Sequence, residues 1–260
     1  MNKLFIGTSG FSYSHWKDGI FYPKKMPESK HLEYFAEHFN SVELNNSFYR
    51  LPQEKTFLNW QKRTPPGFLF SVKASGFITH IKKLNQCQSA WDLFLKRSLN
   101  LGPKLGPFLF QFPPSWKINF LRLKNFIEMI NKDDSKFRFV FEFRHPSWFS
   151  PEIFQFLKKY KNISLCLADS PYWPARIASR PSRDAGGFKT EKISGDFVYI
   201  RMHGGKILYG SNYSEKELKQ LAGWIKKYLN QKLDVYCYFN NDACGFAVRN
   251  AERLAQLCGR

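Results

Sequence analysis

Three observations predict an α/β fold, a single TIM-like (β/α)8 barrel spanning residues 1–260 as one domain. Short apolar runs of strand length alternate with helix-period segments roughly eight times, the rhythm of a closed parallel sheet. No linker-like stretch divides them. Most runs also end in polar or charged residues, as barrel strands do where they build a pocket at their C-terminal rim. At 260 residues with 43% hydrophobic content, the chain suits one sizeable core.

Leu4 to Ser9 is a compact apolar strand running into Gly10, followed by a loop with Phe11, Tyr13, His15 and Trp16. After Pro27 and Ser29, the spacing of Leu32, Phe35 and Phe39 gives a helix with one apolar face. A strand over Ser41 to Asn45 precedes a helix around Glu54 to Lys62, and the strand Phe68 to Lys73 precedes a helix around Ala90 to Leu99. Gly106 to Phe112 and Phe120 to Ile130 form the next strand and helix. Phe137 to Arg144 is a strand, and Ser150-Pro151 is a capped helix start with proline at its first position. Strands at Ile163 to Asp169 and Asp196 to His203 follow. Ser214 with Glu217 reads as a capping box for a helix to Leu229. Val235 to Phe239 is the last strand, and Ala247, Ala251, Leu254 and Ala255 line one side of the final helix.

One connection breaks the rhythm. Residues 170–195, after the sixth strand, hold three arginines, several prolines and Trp173 without a helical period. A loop this long leaving a strand end is expected to be a flap over the pocket or a surface excursion.

Forty Lys and Arg residues against 21 acidic ones give a net charge of +19, a field that favours anionic ligands or polyanions. No single block is basic enough for a nucleic-acid arm, and lysines coating helix faces would give the same balance. Five scattered cysteines without a C-x-x-C pair argue against a disulfide framework or a thiolate zinc site, and suit a cytoplasmic protein. Cys166 and Cys237 fall inside strands and read as core thiols. No segment resembles a signal peptide or a membrane span.

Alternation assigns faces. The phenylalanines of Phe137 to Arg144 take one side, so Arg138, Val140, Glu142 and Arg144 share the other; Glu43 with Asn45, and Arg201 with His203, pair likewise. With helices covering the apolar face, these polar pairs point inward near the rim. Glu142, Asp169 and His203 are the candidate catalytic residues. Glu43, Asn45, Lys73, Gln111, Arg144, Arg201, Asn240 and Asp242 are the candidate substrate-binding residues. Arginines grip carboxylate or phosphate bidentately, and histidine titrates near neutrality. Phe11, Trp16, Phe48, Tyr49, Trp148 and Trp173 are expected to supply apolar walls. Lys73 is a Schiff-base lysine or, more simply, a surface-paired one. No cofactor is expected. A divalent metal, if present, would use Glu142, Asp169 and His203, perhaps with Glu43, although arginines sit beside these ligands.

Ile-Gly-Thr-Ser-Gly-Phe-Ser-Tyr (6–13), Ser-Val-Glu-Leu-Asn-Asn-Ser-Phe-Tyr-Arg (41–50), Phe-Ser-Val-Lys (70–73), Leu-Phe-Gln-Phe-Pro-Pro (109–114), Phe-Glu-Phe-Arg-His-Pro-Ser-Trp (141–148), Tyr-Ile-Arg-Met-His-Gly (199–204) and Tyr-Phe-Asn-Asn-Asp (238–242) resemble the YecE-like family, domain of unknown function 72. The resemblance runs nearly end to end. It implies a TIM-like barrel, broadly akin in architecture to xylose-isomerase-type and endonuclease-IV-type barrels, and no established reaction. The functional expectation is an enzyme acting on a small phosphate- or carboxylate-bearing substrate. The alternatives are a nucleic-acid-binding or DNA-processing barrel with a basic rim, metal-dependent or not, and a ligand-binding scaffold without turnover.

Overall fold

A computed structural model describes residues 3–132, 136–170 and 193–259. Among them, all eight strand positions read from the sequence are occupied, and every strand pairing is parallel. The strands are β1 (Leu4–Thr8), β2 (Ser41–Leu44), β3 (Leu69–Lys73), β4 (Leu105–Gln111), β5 (Phe139–Glu142), β6 (Ile163–Leu165), β7 (Leu167–Asp169), β8 (Phe197–Met202) and β9 (Asp234–Phe239). One sheet runs β1-β9-β8-β7 and the other β2-β3-β4-β5-β6. The single strand expected over 163–169 is thus two: it is interrupted at Cys166, with β6 bonded into one sheet and β7 into the other.

Contacts also run between β1 and β2, which belong to different sheets. The Asn40 side chain donates to the Leu4 carbonyl (2.8 Å) and accepts from the Ile6 amide (3.0 Å), standing in for backbone ladder bonds. Ser9 bridges Glu43, and the Gly10 amide reaches the Glu43 carbonyl at 2.8 Å. Only glycine fits at position 7, where a Cβ would lie 1.8 Å from the Ser41 carbonyl oxygen.

Helices α1 (His31–His38), α2 (Asn46–Tyr49), α3 (Glu54–Lys62), α4 (Gln88–Ser98), α5 (Phe120–Ile130), α6 (Pro151–Leu157), α7 (Glu215–Asn230) and α8 (Phe246–Leu257) alternate with the strands. The expected caps form: Ser150 accepts from the Ile153 amide, and Ser214 and Glu217 make the capping box. The short α2, starting directly at the end of β2, was not foreseen.

Most phenylalanines fill the layer between strands and helices. Phe108, Phe110 and Phe112 lie beside Phe139, Phe141 and Phe143, with ring centroids 6.0, 5.3 and 5.2 Å apart, a stacked ladder that follows the β4–β5 register. A second, smaller apolar cluster lies on the opposite strand face, with Phe5, Leu109, Val140, Cys166, Ala168, Phe197, Tyr199, Tyr236 and Tyr238. Its tyrosine hydroxyls are satisfied. Tyr238 meets Ser41 at 2.5 Å, Tyr199 meets Ser71 at 2.7 Å, and Tyr236 accepts from Arg138 at 2.9 Å. Cys166 and Cys237 are buried, and all five cysteines are free thiols. Among the described residues no helix is long and apolar enough to cross a membrane. Of the 170–195 connection, residues 171–192 lie outside the described residues, and so does Trp173.

Candidate functional site

Because the strands are parallel, the residues that end or follow them gather at one end of the sheets. There Tyr13, His15, Asn45, Tyr49, Lys73, Tyr209, Asn240, Asp242 and Ala243 line a cleft of about 420 Å³. Four residues read from sequence as binding residues are in it: Asn45, Lys73, Asn240 and Asp242. Among the described residues Tyr49 is the only expected aromatic wall residue in that lining. Tyr13, His15 and Tyr209 were missed, since they lie in connections where no periodicity betrays a facing.

Beneath the cleft lies a buried charge network. Arg201, 1% exposed, bridges two carboxylates, donating from Nη2 to Glu43 Oε1 at 2.6 Å and from Nη1 to Glu142 Oε2 at 2.5 Å. Glu142 also accepts from Arg144 Nε at 2.9 Å. Glu43 takes further bonds from Ser9 Oγ and the Tyr199 hydroxyl, each at 2.7 Å. His203 is fully buried, its Nε2 lying 3.3 Å from Arg201 Nη1 and 3.5 Å from Glu142 Oε1, its Nδ1 3.1 Å from Asn240 Nδ2. The inward pairing of Glu142 with Arg144, and of Arg201 with His203, is as alternation placed it.

Electrostatics follow from this geometry. Burial alone would push the Glu142 carboxyl up, but Arg201 and Arg144 outweigh it and hold the group well below the usual carboxylate range. Burial, reinforced by Arg201, lowers the His203 imidazole to about 4, against the pull of Glu142. His203 is therefore neutral at physiological pH, whereas the sequence reading rested on its ordinary near-neutral titration. Burial, with Arg201 adding to it, brings Lys73 down to about 7, and Glu142 and Glu43 only partly oppose this. Among the described residues Lys73 Nζ makes no ion pair. It stands 4.2 Å from the centroid of the Phe48 ring. The surface-paired lysine expected as the simpler reading is not what the structure holds.

Other candidates stand apart. Asp169 shares a strand run with Cys166 and Ala168, which face the inner cluster, but it points the other way and accepts from the Tyr213 hydroxyl at 2.6 Å. Glu142 and His203 are neighbours, but Asp169 is not with them, and among the described residues no group of three or more His, Cys, Asp or Glu could hold a metal ion. Gln111 is buried at the end of β4 and donates to the Phe112 carbonyl at 2.7 Å. Trp16 and Trp148, expected as pocket walls, are fully buried in the main core. Trp148 stacks on Phe143 at 4.2 Å, and the Trp16 indole N–H donates to Asp242 Oδ1 at 2.8 Å, bracing a cleft residue from behind. Phe11 packs against the same core. Asp242 Oδ2 also meets His15 Nε2 at 2.8 Å.

The class defined by fold and site is an α/β protein of parallel strands with a polar cleft at their C-terminal ends, floored by buried ion pairs. The chain belongs to the family described as "Protein of unknown function DUF72", whose model matches residues 5–260. It is 27% identical to UPF0759 protein YunF of Bacillus subtilis, over 98% of this chain and 94% of that one. It is 30% identical to UPF0759 protein YecE of Escherichia coli, over 70% of this chain and 65% of that protein. A DUF72 family crystal structure from Thermotoga maritima superposes with a TM-score of 0.81 at 29% identity, covering 99% of this chain and 100% of the other. One from Enterococcus faecalis, at 20% identity and a TM-score of 0.76 over 99% of this chain and 96% of that one, shares the fold.

Proposed function

We propose that the chain is a cytoplasmic enzyme acting on a small phosphate- or carboxylate-bearing substrate, bound in the cleft at the C-terminal rim of a TIM-like barrel. Barrel closure is supported by the Asn40 and Gly7 seam between β1 and β2, and by the run 163–169 that belongs to both sheets. Five free thiols suit a reducing compartment.

The observation that carries the reading is the charge balance of the site. Lys73, Arg144 and Arg201 stand against Glu43 and Glu142, and the two carboxylates are already engaged by the arginines. The Lys73 ammonium is left as the cation whose partner would come from a ligand. Asn45 and Asn240 line the same cleft as hydrogen-bonding groups, and Asn45 Oδ1 is buried without a partner among the described residues. Glu43, Glu142 and His203 hold Arg201 and set the potential of the cleft floor from below. Asp169 would contribute from behind through Tyr213.

The test is thermal stability of the purified protein against sugar phosphates, dicarboxylates and short single-stranded DNA at low and high salt. A compact anion that stabilises by about 2–3 kcal/mol when present at 100 times its dissociation constant, and still does so at high salt, supports the reading. Stabilisation by DNA alone, vanishing as salt rises, would replace it with the nucleic-acid reading, favoured by the net charge of +19 and by Tyr49, 85% exposed at the cleft's lip.

A further inference from the structure

Lys73 offers more than positive charge. It ends β3 on the same strand face as Ser71, whose hydroxyl meets Tyr199 in the interior, so its side chain rises from the inner face into the cleft. Phe48 lies against its amine, and the guanidiniums of Arg201 and Arg144 are close enough to act on it. The carboxylates that could neutralise it are held instead by those arginines, Glu43 by Arg201 and Glu142 by both. Desolvation by an aromatic face next to fixed cations is the environment that turns a lysine from a charge carrier into a nucleophile.

We propose that Lys73 is a covalent catalyst, its amine condensing with the carbonyl carbon of a small aldehyde or ketone to form a Schiff base. For the anionic group on that carbonyl compound the proposal rests on the reading of the cleft given above: the neutral fraction of Lys73 attacks, and the protonated imine restores the positive charge that pairs with the anion. The Nζ lone pair forms the C–N bond while the carbonyl π pair moves to oxygen. A proton passes from nitrogen to that oxygen, giving a carbinolamine. A second proton, from the His15–Asp242 pair lining the same cleft, lets the hydroxyl leave as water while the nitrogen lone pair forms the C=N bond. The products are one water and one protonated imine.

Two further features fit this step. With its midpoint brought to about 7, about half of Lys73 is neutral at pH 7, against roughly one part in a few thousand for an ordinary lysine. Asn45 sits next to Lys73 across the sheet, one residue beyond the paired Leu44 and Val72, and its partnerless Oδ1 can accept from the carbinolamine hydroxyl.

The experiment is borohydride trapping on the full-length protein, with pyruvate and glyceraldehyde 3-phosphate as anionic carbonyl probes and acetaldehyde as an uncharged one. Adducts are located by peptide mass spectrometry. The expected result is a reduced adduct on Lys73 at least tenfold more occupied than on any other lysine, and absent from Lys73→Arg. Adducts spread evenly over the lysines overturn the proposal. Should Lys73→Arg not fold, competitive amine labelling of the unaltered protein across pH replaces it. Half-maximal Lys73 reactivity near pH 7 supports the proposal, and a midpoint above 9 overturns it. The two readings fail separately. Anions that stabilise the protein without any Lys73 adduct leave the anion site standing and sink the Schiff base; equal trapping of acetaldehyde and pyruvate upholds the Schiff base and sinks the anion site.

Discussion

Replacing Arg201 by methionine isolates the energetics of the cleft floor. The guanidinium touches Glu43 at 2.6 Å and Glu142 at 2.5 Å, and all three side chains are at most 1% exposed. Taking the guanidinium and carboxylate charge centres as about 4 Å apart, each pair is worth about 4 kcal/mol of attraction at an effective dielectric near 20, so the gross loss is about 8 kcal/mol. The net loss is smaller. Glu142 keeps Arg144, and Glu43 keeps bonds from Ser9 and Tyr199. Removing one partner of a buried pair costs about 3–5 kcal/mol, and we expect Arg201→Met to fall in that range. Urea denaturation measures it as a fall of about 1–2 M in midpoint at unchanged slope. Glu142, held low in the intact protein, contributes stability above the ordinary carboxylate midpoint and loses it as pH falls through its depressed one. In the variant the stranded carboxylates are costly only while ionised. The deficit should therefore shrink between pH 7 and pH 4, and adding Glu43→Gln should restore at least about 1 kcal/mol. A loss below about 1 kcal/mol, or a deficit that grows on acidification, would refute the argument.

Three further outcomes are expected. Gly7→Ala should cost about 2–4 kcal/mol in the same assay, because the added methyl must displace the Ser41 carbonyl from the β1–β2 seam. For His203, lowered to about 4, the unfolded chain binds the extra proton between about pH 6.5 and 4, so stability falls by up to about 3 kcal/mol over that window. His203→Gln should lack that part of the acid slope, as read from denaturation midpoints at pH 7 and pH 4.5. Lys73→Met should raise the melting temperature at pH 7, since the desolvated ammonium no longer has to be held. That gain should fade as pH rises from about 7 to above about 10.4, where the unfolded chain sheds the same proton; a gain independent of pH would contradict the lowered Lys73 midpoint.

The sequence announces some parts of this molecule more clearly than others, for physical reasons. Period-two phenylalanines in β4 and β5 specify strands, their covered face and, through the stacked ladder, their register. The same rule turned Glu142 and Arg201 inward, where opposite charges on different strands could meet. It was also available for 163–169, where Ser164, Cys166 and Ala168 are the small inward residues and Asp169 falls in phase with the leucines. Tyr199 stands two residues before Arg201 and shares its facing, but an aromatic among aromatics reads as core, and its bond to Glu43 depends on a strand far away in sequence. Trp16, Trp148, Tyr13 and His15 lie in connections without a period, so neither burial nor cleft lining could be read for them. The lowered Lys73 midpoint has no local signature, because its neighbours come from β2, β5, β8 and the residues that follow them.

The tyrosines of the inner cluster have a mechanical consequence. Tyr199 on β8 and Tyr238 on β9 reach across to Ser71 on β3 and Ser41 on β2, joining two sheets that share few main-chain bonds. Sliding one sheet past the other by a residue would leave the two buried tyrosine hydroxyls without mates, at about 1–3 kcal/mol each, while Ser41 and Ser71 keep the Leu69 and Pro107 carbonyls of their own sheet. Phenolic cross-ties thus act as pegs that index one half of the molecule against the other. They fix the height at which Glu43, carried by β2, meets Arg201, carried by β8.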